Sequence, residues 1–103
     1  KTEAISWEKA RENVGKVVTV EGIVFSTKRR PIAITLSFHP NFPDYFSVII
    51  PASAIAKWKV DPAVYYQKRL VRVTGKVEES QGNHFIRLTD PKKIERLQRK
   101  PTS

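Results

Sequence analysis

Two valine-rich segments, residues 16–28 and 70–78, constrain this chain more than anything else in it, because each is dense in β-branched residues and each is interrupted by one glycine. In the first, Val18, Val20 and Val24 fall on one period-2 face, the spacing of a half-buried strand. In the second, Val71, Val73 and Val77 take the inner face and Arg72, Thr74 and Lys76 the outer one. Gly22 and Gly75 stand at matching places, and a glycine inside a strand marks a bulge or a sharp bend. The flanks of the two segments do not repeat, so similar strand physics explains the likeness better than duplication. Two bent strands suit a small barrel, since a flat sheet of this size would leave unpaired edges.

The remaining segments supply the other walls. Ser6 can cap a helix over residues 7–14, with Glu8 in its first turn, Ile5 and Ala10 at the positions of a hydrophobic staple, and Gly15 as terminator. Its apolar face, Ile5, Ala10 and Val14, is too narrow for a free-standing helix, so the segment should plug or flank something larger. Lys28-Arg-Arg-Pro31 reads as a basic loop, followed by a second strand in which Ile32, Ile34, Leu36 and Phe38 point inward and Ala33, Thr35 and Ser37 outward. After a turn-rich connection over residues 39–44, residues 45–50 form a third strand with Phe46, Val48 and Ile50 on the core side. Pro51 ends it; residues 52–58 and a turn opened by Pro62 are helical. Ser80-Gln-Gly-Asn83 is a hairpin turn, residues 85–88 are a fifth strand, and Pro91 opens a basic tail whose residues 98–103 should fray.

The expected fold is therefore all-β with little helix. It is one domain over residues 1–103, with an N-terminal helix in 1–15, the barrel and its closing segment in 16–97, and a tail in 98–103. Five strands in the order β-β-β-α-β-β, with a helix between the third and fourth, are the order of the five-stranded Greek-key barrel called the oligonucleotide/oligosaccharide-binding (OB) fold.

Nineteen Lys and Arg against ten Asp and Glu give a formal net charge of +9. Such a surface attracts polyanions over about a Debye length, roughly 8 Å at physiological salt, although a Lys-rich solvated surface accounts for the same count. There is no Cys, which excludes disulfides, thiolate metal sites and thiol nucleophiles and leaves the compartment open. No apolar run approaches the roughly 20 residues of a membrane-spanning helix, and the chain is expected to be soluble. It begins at Lys1 rather than Met, so the expectation is that something upstream was removed, either a cleaved leader or lipid-anchor segment or a trimmed stretch.

Several stretches then carry a resemblance: Ile5-Ser-Trp-Glu, Val14-Gly-Lys-Val-Val-Thr-Val-Glu-Gly-Ile-Val, Thr35-Leu-Ser-Phe, Phe46-Ser-Val-Ile-Ile-Pro, Tyr65-Tyr, Lys68-Arg-Leu-Val-Arg-Val-Thr-Gly-Lys-Val and Leu88-Thr-Asp-Pro. Together they resemble the OB-fold nucleic-acid-binding modules of bacterial exported or lipid-anchored proteins and of chains that carry nuclease domains. The resemblance implies a bacterial source and a binding face on strands two and three, flanked by the loops that join strands one to two and four to five. Those positions hold Lys28, Arg29 and Arg30 in the first loop, Thr35 and Ser37 on strand two, Tyr45 and Ser47 on strand three, and Gln81, Asn83 and His84 at the second loop. Arg72, Lys76 and Arg87 would extend the cationic path, with basic groups on phosphates and rings stacked on bases. Solvated strand faces explain the last three nearly as well.

Phe42 and Tyr45 sit in or beside the Pro-rich connection, where a ring caps a barrel end or offers a stacking surface; Trp7 and Trp58 are expected to be buried against the barrel. His39 and His84 occupy different loops with no carboxylate at metal-ligand spacing. No Ser stands in a nucleophile-elbow context, no Gly-rich phosphate cradle exists, and Asp61 and Asp90 each precede a Pro as turn residues do. The expectation is a non-catalytic module with no cofactor and no metal that binds single-stranded nucleic acid, DNA or RNA. The alternative is a structural domain of an exported or lipid-anchored protein, outside the cytoplasm, that contacts protein or anionic glycan. A third reading makes it a substrate-binding appendage to a nuclease encoded elsewhere.

Overall fold

The computed structural model describes residues 4–39 and 46–97. Phe42, Tyr45 and the tail over residues 98–103 lie outside the described residues. The strands are β1 (Ala4–Ser6), β2 (Val17–Ile23), β3 (Ser26–Arg29), β4 (Ala33–Ser37), β5 (Ser47–Pro51), β6 (Leu70–Ser80), β7 (Asn83–Arg87) and β8 (Ile94–Arg96). Two one-turn helices, α1 (Ala52–Ile55) and α2 (Pro62–Tyr65), separate β5 from β6.

The pairings run round a circuit. β2 lies antiparallel to the first half of β6, whose second half pairs with β7. β7 runs parallel to β5, β5 antiparallel to β4, and β4 antiparallel to β3. β3 is in turn the continuation of β2 after two residues. At that corner the Val24 amide donates to the Arg69 carbonyl at 3.0 Å, while the Phe25 amide donates to the Ser37 carbonyl at 2.7 Å, so the run 17–29 changes partner between adjacent residues. The circuit thus returns to its start, and the all-β, barrel-like expectation holds. The strand count differs from five for two reasons: the first strand is split at this corner, and β1 and β8 add short flanking pairs to β2 and β6.

The glycines act differently from the expected bulges. The β2–β6 register runs unbroken from Val17↔Lys76 to Ile23↔Leu70, passing through both Gly22 and Gly75. Each instead allows a close approach beside a change of partner. A Cβ at Gly22 would stand 2.6 Å from the Trp7 ring and 3.0 Å from that of Phe38, and one at Gly75 would stand 2.7 Å from the Ile86 side chain. Bending brings inner side chains of neighbouring walls together, and only the absence of a Cβ leaves room for them.

Val20, Val24, Ile34, Leu36, Val48 and Val73 are fully buried at the centre of the barrel. One end is plugged by Trp58 and Tyr66, where the Trp58 indole Nε1–H donates to the Tyr66 hydroxyl at 3.1 Å. Burial pushes the Tyr66 phenol above its ordinary value, and that hydrogen bond from Trp58 holds it partly back. The other end is crossed by residues 7–13. Ser6 caps them as expected, its Oγ accepting from the Glu8 amide at 3.3 Å. They form a 3₁₀ helix, Trp7–Asn13, rather than an α-helix over 7–14. Both of its ends are pinned by β-pairing, β1 to β2 before it and Val14 to Val77 after it, and the 3₁₀ rise of about 2.0 Å per residue stretches the segment further across that gap. Ala10 is buried from it as expected, whereas Val14 is exposed and Trp7 is half-buried.

Candidate nucleic-acid interface

Side chains in a strand alternate between faces, so the register fixes which residues share the outer surface of β3, β4, β5 and β7. One cross-strand row reads Lys28, Thr35, Ile49, Arg87, and the next reads Ser26, Ser37, Ser47, Phe85, with Glu78 of β6 beyond. Phe85 lies outside the central core cluster, which takes its neighbour Ile86 instead, but it is only 9% exposed, and the Arg87 guanidinium lies 5.9 Å from its ring centroid. Three strand spacings, about 14 Å, separate Lys28 from Arg87. The surface therefore has a cation at each end of one row, a largely buried aromatic ring beside the second cation, and between them a floor of three small hydroxyl side chains and Ile49.

That floor corrects the expectation for strand two. Ile34, Leu36 and Phe38 are buried as read, but Thr35 and Ser37 are only 4% exposed and Ser47 only 3%, whereas Ile32, expected inside, is 79% exposed. Thr35, Ser37 and Ser47 are short and sit on strands paired on both sides, so they line the bottom of the surface and offer little area of their own. Ile32 belongs to the turn instead: the Arg30 amide donates to the Ala33 carbonyl at 2.8 Å, which closes the hairpin one residue later than the sequence suggested.

The remaining expected site residues divide. Lys28 and Arg29 end β3 and so are not in a loop, while Arg30 is exposed in the turn. The Arg29 guanidinium is ion-paired with Asp61, whose other carboxylate oxygen accepts from the Ala63 amide at 3.1 Å, so Arg29 ties the hairpin to α2. Arg72 faces outward on β6 but pairs with Glu21 of β2 at 2.9 Å, and Thr19 and Thr74 exchange a 2.9 Å hydroxyl contact beside it. Lys76 is exposed on that same β2–β6 side, opposite Val17. His84 points to the opposite face of β7 from Phe85 and Arg87, 3.7 Å from the Glu79 carboxylate. The two flanking turns are also at opposite ends: Ser47 pairs with Phe85 near the β6–β7 turn, whereas Ile34 pairs with Arg29 near the β3–β4 turn. Among the described residues no ion pair involves Lys28, Arg30, Lys76 or Arg87.

Sequence reading missed Ile49 and Phe85 as members of this surface. The available signal was in Phe85-Ile-Arg87, where two large apolar residues adjoin in one strand and so cannot both face the core. It also missed that His39 after β4 and His84 of β7, far apart in sequence, line one cavity with Trp7 and Phe46 at the end of the barrel crossed by the 3₁₀ helix. Among the described residues no cluster of three or more potential metal ligands occurs, and no helix is long and apolar enough to cross a membrane.

No family model matches the chain, and no curated protein matches it. Solved structures do. The chain is similar to an aspartyl-tRNA synthetase structure from Leishmania major Friedlin, with a TM-score of 0.62 and 12% identity, over 93% of this chain and 21% of that one. It is equally similar to the asparaginyl-tRNA synthetase of Entamoeba histolytica in complex with asparaginyl-adenylate, with a TM-score of 0.62 and 14% identity, over 98% of this chain and 25% of that one. The chain thus spans a quarter or less of the length of these proteins, and at such identity the likeness carries the fold: a barrel of the OB kind. Neither neighbour is of the exported, lipid-anchored or nuclease-associated type that the sequence words resemble.

Proposed function

We propose that this chain is a non-catalytic binding module that holds single-stranded nucleic acid, preferentially RNA, across the outer surface of β3, β4, β5 and β7. The observation that carries the reading is the row from Lys28 to Arg87, whose two cations have no carboxylate partner among the described residues and bracket a low floor beside the Phe85 ring. A backbone laid along the row would put phosphates on Lys28 and Arg87, and a base would meet the Arg87 guanidinium and the narrow exposed edge of the largely buried Phe85 ring that it adjoins. Arg30, exposed in the adjoining turn, extends the path. Both similar structures are tRNA synthetases, and this favours RNA over DNA and over protein or glycan. We infer also that the chain acts by binding rather than by chemistry.

Fluorescence anisotropy with labelled single-stranded RNA, single-stranded DNA, duplex and an anionic glycan tests this directly. Single-stranded RNA should bind tightest, and its affinity should fall by orders of magnitude between about 50 and 200 mM salt if several phosphates are contacted. Equal binding to all four polyanions, or none at low salt, would remove the reading.

A further inference from the structure

The end of the barrel crossed by the 3₁₀ helix holds a cavity of about 410 Å³, lined by Trp7, Glu8 and Arg11 of that helix, His39 after β4, Phe46 before β5, and Gly82 and His84 of the β6–β7 hairpin. Its size is that of small-molecule sites. Its chemistry is mixed in a specific way. Trp7 and Phe46 give aromatic walls, and the His39 ring lies 5.8 Å from that of Trp7 at an interplanar angle of 57°. Arg11 gives a fixed positive charge, and Glu8 gives a carboxylate that already accepts from the Ser6 hydroxyl at 3.3 Å. His84 brings a second imidazole whose Nε2 faces Glu79 at 3.7 Å. Gly82, with φ at +83°, turns the hairpin without adding a side chain to the opening.

Three ligand classes can be compared against that lining. A wholly apolar molecule would strip water from the charged Arg11 and Glu8 side chains without replacing it, which is costly. A bare inorganic anion would leave the rings unused and would meet the Glu8 carboxylate as well as the Arg11 cation. A planar heterocycle with hydrogen-bonding edges and one attached anionic group uses all of the lining: rings on the heterocycle's faces, Glu8 and an imidazole on its edge, Arg11 on the anion.

We propose that this cavity is a mononucleotide site that receives one terminal nucleotide of a bound strand, separate from the outer surface. The geometry connects the two: His84 and Phe85 are consecutive on β7 and face opposite ways, so a strand stacked at Phe85 reaches the cavity by rounding the edge of the β6–β7 hairpin. The inference deepens the proposed function and rests on it only for the identity of the macromolecule, because the cavity can be tested with free nucleotides.

The experiment is a two-dimensional amide and indole NMR titration of the whole chain with AMP, GMP, CMP and UMP, and with adenosine and inorganic phosphate as partial ligands. At least one nucleotide should produce saturable shifts at the Trp7 indole and the Gly82 amide. Adenosine should bind more weakly and phosphate should leave both signals in place. Arg11→Glu should weaken the nucleotide at least about tenfold, the effect of 1.4 kcal/mol, and leave adenosine as it was. Lys28→Glu with Arg87→Glu should leave mononucleotide binding intact while weakening oligonucleotide binding on the order of 100-fold, so the two readings fail separately. No shift at either signal up to about 10 mM nucleotide, ten times a weak millimolar affinity, would overturn the proposal. Phosphate shifting the same signals as the nucleotide would do so as well, and so would an Arg11→Glu variant, folded by its spectrum, that binds unchanged.

Discussion

The barrel has two outer faces that look equally basic in sequence and differ in how their cations are partnered. On the β2–β6 face Lys76 has no ion pair among the described residues, but Arg72 is neutralised across the strands by Glu21, is paired in register with Glu95 of β8, and stands next to the joined hydroxyls of Thr19 and Thr74. On the β3–β4–β5–β7 face Lys28 and Arg87 have no carboxylate partner among the described residues, and the rows between them are built mainly of small side chains. Lys28, Arg72 and Arg87 count the same toward a net charge of +9, yet only cations that are not already paired can release counterions from a phosphate chain without first breaking an ion pair. The pairing of charges, more than their number, marks a polyanion surface.

Reversing charge on the unpaired face tests that contrast hardest. Lys28→Glu with Arg87→Glu should cost on the order of 100-fold in affinity for a single-stranded oligonucleotide and lower the salt slope by about 2, one for each phosphate no longer neutralised. Anisotropy at several salt concentrations measures both quantities. Removing the ring next door should weigh less: Phe85→Ala should weaken binding about tenfold, within the roughly 1 to 3 kcal/mol of one stacked base, with the slope unchanged. A fall in slope instead would mean that Phe85 only supports Arg87.

Smaller effects separate paired from unpaired cations. Arg29→Ala removes an exposed ion pair that anchors the β3–β4 hairpin to α2, so it should lower thermal stability by less than about 1 kcal/mol and affinity by less than about threefold. If it matched the effect of Lys28→Ala on binding, Arg29 would itself touch the ligand and its pair with Asp61 would be expendable. The least effect belongs to the paired face. Glu21→Gln releases Arg72 and should raise low-salt affinity by at most about twofold, while Arg72→Ala should leave it unchanged. A large drop in affinity from Arg72→Ala would mean that the ligand covers both faces.

How much of this was legible in the sequence follows from how local each signal is. The valine alternation of residues 70–78, the Ser6 cap and the Gln81-Gly82 turn, with φ at +54° and +83°, are short-range consequences of residue type, and they appear where they were read. Burial on the outer side of β4 was not legible. Period-2 reasoning assigns Thr35 and Ser37 to solvent, and only the pairing of β4 with β3 on one side and β5 on the other shows that both are enclosed between strands. Likewise the partners of Arg29 and Arg72 lie 32 and 51 residues away, so no window along the chain shows that they are engaged. β1 and β8 escaped notice because three residues are too few to display any periodicity.

The corner at Val24 and Phe25 also governs how the molecule opens. Because adjacent amides there are hydrogen-bonded into different walls, neither wall can peel away while the other stays whole, and the two are locked into one cooperative unit. Hydrogen exchange should therefore find these two protons among the slowest in the chain, released only when the entire domain comes apart.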